Sequence, residues 1–158
     1  MYKMESVPLL NENYRSDTNA YHIKRPEILS GSTYYFITDS GLTYQVTFGK
    51  KRDNYLNNIL NFSVISDDYE DEYSETNRGE VYRIISTMIE IVRMFHEVHP
   101  YSHSYEFSGE YKDEENKGFP SIRTRLYVRA VNRVIDMRYW ELIQSHNKVI
   151  LQRKSRDE

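Results

Sequence analysis

The stretch VYRIISTMIEIVRMFHEVHP, residues 81–100, carries the pattern that decides the fold. Its apolar residues recur at spacings of three and four positions: Val81, Ile84, Ile85, Met88, Val92 and Phe95. This period predicts an amphipathic helix from Glu80 to about Val98 with one face toward a core. Asn77 and Glu80 resemble a capping box at its start, and Pro100 ends it.

The residues before this helix alternate with the period of two that is typical of strands. Tyr34–Thr38 and Leu42–Phe48 flank the turn-forming cluster Asp39-Ser40-Gly41, which predicts a β-hairpin. The run LNFSV, residues 60–64, predicts a third strand. A short fourth strand is expected around Glu72–Thr76.

The residues after the helix predict one strand, a second helix and a closing hairpin. SYEFS, residues 104–108, alternates before the polar loop Gly109–Phe119. Ser121 is the candidate N-cap of the second helix. The inward stripe of that helix consists of Leu126, Ala130, Val131 and Val134. Residues 140–142 and 149–151 predict the two arms of the hairpin.

This order of elements predicts an α+β fold, with a mixed, mostly antiparallel sheet and two main helices. A chain of 158 residues fits a single domain, 1–158. We expect a weakly patterned N-terminal segment over residues 1–30, a core over 31–153 and a tail over 154–158.

Composition narrows the class of protein. The formal net charge of −3 disfavours a surface devoted to nucleic acid, and the lack of cysteine excludes disulfides and cysteine-ligated metals. No run approaches the roughly 18 consecutive apolar residues of a membrane span, and no basic segment followed by an apolar run opens the sequence. We therefore expect a cytoplasmic protein with no membrane partner.

The succession of helix, strand, second helix and hairpin resembles the core of the GNAT acyltransferases. GEVYRIISTMIEIV (79–92), SYEFSG (104–109) and SIRTRLYVR (121–129) more closely resemble bacterial and phage proteins that are sometimes labelled acetyltransferase-like. The resemblance covers about residues 60 to 153. In the GNAT family, acyl-CoA enters where two central strands splay apart, and its pyrophosphate rests on backbone N–H groups at a helix start.

The resemblance implies binding of acetyl-CoA or another phosphate-bearing small molecule, together with N-acyl transfer. It places Arg78 and Gly79 at the phosphate, with Arg123 and Arg125 in support. Tyr127 corresponds to the tyrosine that protonates the leaving thiolate in the family.

Two points stay open: which residue acts as the general base, and how well the phosphate loop fits the family pattern. Glu106 or Glu110, which flank the cleft strand, is the candidate general base. With Gly79 as the first loop glycine, Thr76 stands where the family has Arg or Gln and Val81 where it has Gly or Ala. The alternative register fits no better, so we expect a degenerate pyrophosphate loop.

Basic, acidic and histidine groups each have two interpretations. Arg125, Arg129 and Arg133 fall on one side of a helix and either bind phosphate or form a solvated face paired with carboxylates. The acidic run 67–75 predicts a solvated turn rather than a site for a basic substrate. The histidine group 96–103 predicts exposed side chains at a helix end, and we expect no metal site.

Two functions follow from these patterns. One is a GNAT-like protein that binds acyl-CoA or another phosphate-bearing small molecule and acts as an N-acyltransferase. The other is a non-catalytic interaction or regulatory protein of phage or mobile-element origin. Nucleic-acid binding through the arginine-rich helix is the least favoured function because the net charge is negative.

Overall fold

A computed structural model describes residues 6–15, 19–65, 78–108, 122–145 and 148–154 of the chain. The described part consists of six strands and two helices in the predicted order. They are β1 (Thr33–Ile37), β2 (Thr43–Lys51), β3 (Asn54–Val64), α1 (Arg78–Val98), β4 (Ser104–Ser108), α2 (Ile122–Val134), β5 (Trp140–Ser145) and β6 (Lys148–Arg153).

Some predicted features lie outside the described residues. They are the fourth strand around Glu72–Thr76, the helix caps Asn77 and Ser121, the acidic run 67–75 and the polar loop Gly109–Phe119.

The strands form one sheet in the order β1-β2-β3-β4-β6-β5. Neighbouring strands are antiparallel except β3 and β4, which are parallel. Helix α1 lies in the crossover between them, as a parallel pair requires. The prediction of an α+β fold with a mixed, mostly antiparallel sheet and two helices is therefore confirmed.

Both helices pack on the same face of the sheet. The ring of Phe95 in α1 stacks on Phe48 in β2, with centroids 3.9 Å apart. Tyr127 in α2 lies edge-on to Phe62 in β3, and the register pairs Phe48 with Leu60, two residues from Phe62. Since alternate residues of a strand share a face, both helices cover the side that carries these rings.

Strand β3 begins earlier than predicted. It starts at Asn54 and pairs with β2 through a bulge between Lys50 and Lys51. Because several residues at its start are polar, the hydrophobic pattern did not indicate this part of the strand. Asn58 is fully buried, and its amide nitrogen donates to the backbone carbonyl of Ser104 at 3.1 Å.

The N-terminal segment contributes to the core despite its weak pattern. Leu9 is buried, and the backbone of Leu10 forms an isolated bridge with Ile135 just after α2. The backbone N–H of Asn11 donates to the carbonyl of Val134 at 2.7 Å. This segment therefore holds the C-terminal end of α2 against the rest of the domain.

Within the residues that the structure describes, neither helix is long and apolar enough to cross a membrane.

Candidate functional site

The central feature of the sheet is the divergence of its two parallel strands. Strands β3 and β4 pair over three positions, the last of which joins Ile59 to Glu106. Both strands continue beyond this point, to Val64 and Ser108, without further pairing between them. The described strands therefore separate toward their C-terminal ends and leave a cleft between them.

Tyr127 stands in this cleft. Its ring centroid is 5.8 Å from that of Phe62 on β3 and 5.8 Å from that of Phe107 on β4. The ring planes are nearly perpendicular in both pairs, 89° and 87°. The side chain is 4% exposed. Helix α2 thus packs one aromatic ring against side chains of both diverging strands.

An apolar cavity of about 60 Å³ lies beside this ring, between the helices and the sheet. Its walls include Leu60, Phe62, Met88, Phe107, Tyr127 and Val131. Cavities lined by apolar side chains stay dry, and a dry cavity favours an apolar guest. The space suits a methyl or short alkyl group and offers little to a polar one.

The arginines of α2 lie outside this cavity. Arg125, Arg129 and Arg133 are exposed. All three border an open hollow, called the outer hollow below, that α2 forms with Gln144 of β5. Among the residues that the structure describes, no carboxylate lies within ion-pairing distance of these guanidinium groups. Within the described residues, these three arginines therefore do not form the carboxylate-paired face that was the alternative to phosphate binding.

The remaining residues of the predicted phosphate site lie at the helix starts. Arg78 and Gly79 open α1, and Arg123 lies in the first turn of α2. The side chains of Arg78 and Arg123 lie outside what the structure describes. The backbone places Arg78 and Gly79 at the helix start that the resemblance assigns to phosphate.

The candidate base Glu106 lies away from Tyr127. Tyr105 and Phe107 face the helices, so Glu106 between them faces the opposite side of the sheet. Its carboxylate binds Lys51 at 2.7 Å and Lys148 at 3.3 Å. The structure therefore does not bring Glu106 and Tyr127 together, and Glu110 lies outside the described residues.

The environment of Glu106 is that of an ion-pair centre. Burial by itself would raise the pKa of its carboxyl, but the hydrogen bonds and charges of Lys51 and Lys148 outweigh it and hold the pKa below the ordinary value. A carboxylate with a lowered pKa and two cationic partners is a poor proton acceptor. These ion pairs stabilise the charged carboxylate of Glu106 and do not activate it as a general base.

The histidines depart from the prediction of exposed side chains. His96 is buried, and its Nδ1 lies 2.5 Å from the hydroxyl of Tyr105. Its Nε2 donates to the carbonyl of Val7 at 2.8 Å. His99 is half-buried and stacks on Phe95. The prediction is wrong for these two residues, because Val7 and Tyr105 cover His96 and the ring of Phe95 covers His99. It is correct for His103, which is exposed.

Within the described residues, no group of three or more His, Asp or Glu side chains is arranged to hold a metal ion.

A groove between the two helices is a feature that the sequence interpretation missed. It has a volume of about 300 Å³ and includes Tyr82 and Ser86 of α1 together with Arg129 and Arg133 of α2. Tyr82 and Ser86 are four residues apart, so the helical period in the sequence already places them on one side of α1. Sequence alone does not show that this side meets the arginine side of α2.

Comparison of the chain with protein-family models, with curated proteins and with solved structures finds no significant match.

Proposed function

We propose that the protein is GNAT-like and binds acyl-CoA or another phosphate-bearing small molecule, with the apolar or acyl end in the cleft between β3 and β4. One observation carries the proposal: the Tyr127 ring lies equally far from Phe62 and Phe107, between two parallel strands that diverge. In the family that the sequence resembles, this is the region where the thioester and the proton donor meet.

The surroundings of Tyr127 support a ligand of mixed character. The apolar cavity beside its ring accepts an alkyl group. The start of α1 and the first turn of α2, which carry Arg78, Arg123 and Arg125, provide positive charge for phosphate. Glu106 has no part in this site because its carboxylate lies on the other face of the sheet.

The proposal is tested by thermal-shift titration with acetyl-CoA, CoA and ATP. A ligand at about 100 times its dissociation constant stabilises the native state by about 2.7 kcal/mol, which raises the melting temperature by several degrees. We expect a shift with acetyl-CoA that Gly79→Leu abolishes in a protein that remains folded. No shift with any of the three ligands would contradict the proposal.

Catalysis is tested separately at Tyr127. Tyr127→Phe keeps the ring between the strands and removes only the hydroxyl. If this hydroxyl is the general acid, transfer of the acyl group to an amine should slow by about 10² to 10⁴ while acetyl-CoA binding is retained. Equal rates in the variant and the wild type would remove the catalytic role and leave the binding role standing.

The alternative is a non-catalytic interaction or regulatory protein of phage or mobile-element origin. The observation that favours it is the phosphate loop, where Thr76 and Val81 stand in place of the residues that the GNAT family requires. Side chains there hold a pyrophosphate away from the backbone amides. An absent response to every nucleotide, together with capture of a protein partner, would favour this function.

A further inference from the structure

The groove between α1 and α2 has an apolar floor. Ile85 and Ile89 of α1 face Leu126 and Ala130 of α2 across it. Ile85 is buried and the other three are half-buried. Ile89 and Val134 also line the apolar cavity beside Tyr127, so these two side chains lie between the groove and that cavity. A ligand in this groove would meet hydrocarbon along its length.

The rim of the groove is basic on one side. Arg129 and Arg133 are four residues apart on α2, and both line the groove. Residues at this spacing are neighbours on a helix surface, so their guanidinium groups can bind the same anion. Both are exposed, and the described residues provide no carboxylate within ion-pairing distance of either one.

The side chains on the opposite rim of the groove do not repel an anionic ligand. Tyr14 lines the groove, and its hydroxyl binds the carboxylate of Glu90. That carboxylate also accepts hydrogen bonds from Arg93, at 2.8 Å from Nη2 and 3.1 Å from Nε. Arg93 pairs with both Glu90 and Glu97 and so neutralises these two carboxylates in part. The polar side chains that line this rim, Tyr14, Tyr82 and Ser86, are uncharged.

We infer that the α1–α2 groove is a binding site for a small amphipathic anion, a carboxylate or phosphate that carries a short alkyl or aryl group. The head binds Arg129 and Arg133, and the apolar part lies on Ile85, Ile89 and Leu126. A volume of about 300 Å³ is at the lower end of small-molecule sites, which favours a compact ligand. This site is separate from the β3–β4 cleft and does not depend on the proposed function.

The test is isothermal titration calorimetry with hexyl phosphate, hexanoate, hexanol and inorganic phosphate. Both chemical requirements are present only in hexyl phosphate and hexanoate. We expect at least one of these two to bind about tenfold more tightly than inorganic phosphate and than hexanol. A response limited to hexyl phosphate or to hexanoate identifies the head group.

Variants locate the site. Arg129→Gln combined with Arg133→Gln removes the charge from two exposed positions and should weaken binding of the preferred anion about tenfold or more. Arg52→Gln is the control, since Arg52 is an exposed arginine of the turn between β2 and β3 and lines neither the groove nor the proposed phosphate site. It should leave the affinity unchanged.

Several results would overturn the inference: neither anion binds, inorganic phosphate or hexanol binds as tightly as the best anion, or the double variant retains full affinity. Because acetyl-CoA binding in the cleft is tested with Gly79→Leu, the two proposals can fail independently. A double variant that loses hexyl phosphate but still responds to acetyl-CoA would confirm that the sites are distinct.

Discussion

The hydroxyl of Tyr105 donates a hydrogen bond of 2.5 Å to Nδ1 of His96 in the interior of the domain. The other ring nitrogen of His96 faces the carbonyl of Val7, which only accepts, so this nitrogen carries the proton. Nδ1 of a neutral imidazole then accepts from Tyr105, and burial raises the pKa of that phenol, which keeps it a donor. Burial lowers the pKa of His96, which favours this neutral form of the pair.

This pair predicts that acidification destabilises the fold. Burial lowers the pKa of His96 below its ordinary value of 6.5, with smaller effects from Arg153 and His99, while the bond to Val7 acts in the opposite direction. Between the lowered pKa and 6.5 the unfolded chain binds more protons than the folded chain, so stability falls as pH falls through this window. For one full proton the slope is about 1.4 kcal/mol per pH unit.

Urea unfolding between about pH 7.5 and pH 5 measures the effect. His99 and His103, whose pKa values burial also lowers, act in the same direction. His96→Gln should therefore reduce the pH dependence without abolishing it. An unchanged slope in His96→Gln would assign the effect to the other histidines.

A second prediction concerns the hydroxyl of Tyr105. Tyr105→Phe keeps the buried ring but leaves Nδ1 of His96 without this donor and also removes the hydrogen bond between this hydroxyl and Ser102. An unsatisfied buried acceptor costs about 1 to 3 kcal/mol, so we expect the free energy of unfolding to fall by that amount at neutral pH. Tyr139→Phe, at an exposed tyrosine, is the control and should have little effect. Equal stability of the two variants would show that these hydrogen bonds contribute nothing net.

The strands of the hairpin were predictable because their residues alternate cleanly. Tyr44, Val46 and Phe48 are all buried in β2, as the period of two requires. The start of β3 was not predictable, since Asn58 is polar and its burial depends on the distant carbonyl of Ser104. A local pattern contains no information about such a partner.

The features of the candidate site also divide into those that could be derived from the sequence and those that could not. The alternation of β4 already places Glu106 and Phe107 on opposite faces, so the separation of Glu106 from the helix side could have been derived from sequence. The burial of His96 could not, because the covering residue Val7 lies in a segment without a clear period. The groove rim formed by Tyr82 and Arg129 depends on helix packing and was likewise beyond the sequence.

A third prediction concerns the two lysines that bind Glu106. Because their charges hold the pKa of Glu106 below 4.5, they contribute stability that is present above 4.5 and lost as pH falls through the lowered pKa. Lys51→Met should raise the pKa of Glu106 more than Lys148→Met, since Lys51 is closer and less exposed. Each variant should cost less than about 1 kcal/mol because both lysines are partly solvated.

Carbon-detected NMR titration of the Glu106 carboxyl measures these shifts directly. Lys24→Met, at an exposed lysine of the N-terminal segment, is the control and should leave the titration curve unchanged. A curve that does not move in Lys51→Met would contradict the ion pair, and a larger response in Lys148→Met would reverse the ranking drawn from the two distances.

The last prediction concerns the apolar cavity beside Tyr127. Val131 lines this cavity, and Val131→Ile adds one methyl group without changing the branching at Cβ. If the added group enters the empty space, the free energy of unfolding should rise by up to about 0.8 kcal/mol. Val128→Ile is the matched control, because Val128 belongs to the same helix but borders the outer hollow. It should leave stability nearly unchanged.

The same variant connects the cavity to ligand binding. A methyl group that fills the cavity competes with the apolar end of any ligand that enters the β3–β4 cleft. Val131→Ile should therefore be more stable than the wild type and yet show a smaller thermal shift with acetyl-CoA, while Val128→Ile shows the full shift. A destabilised Val131→Ile would mean that the space is too narrow for a methyl group. A stabilised variant with an undiminished shift would place the ligand elsewhere, since a filled cavity cannot hold its apolar end.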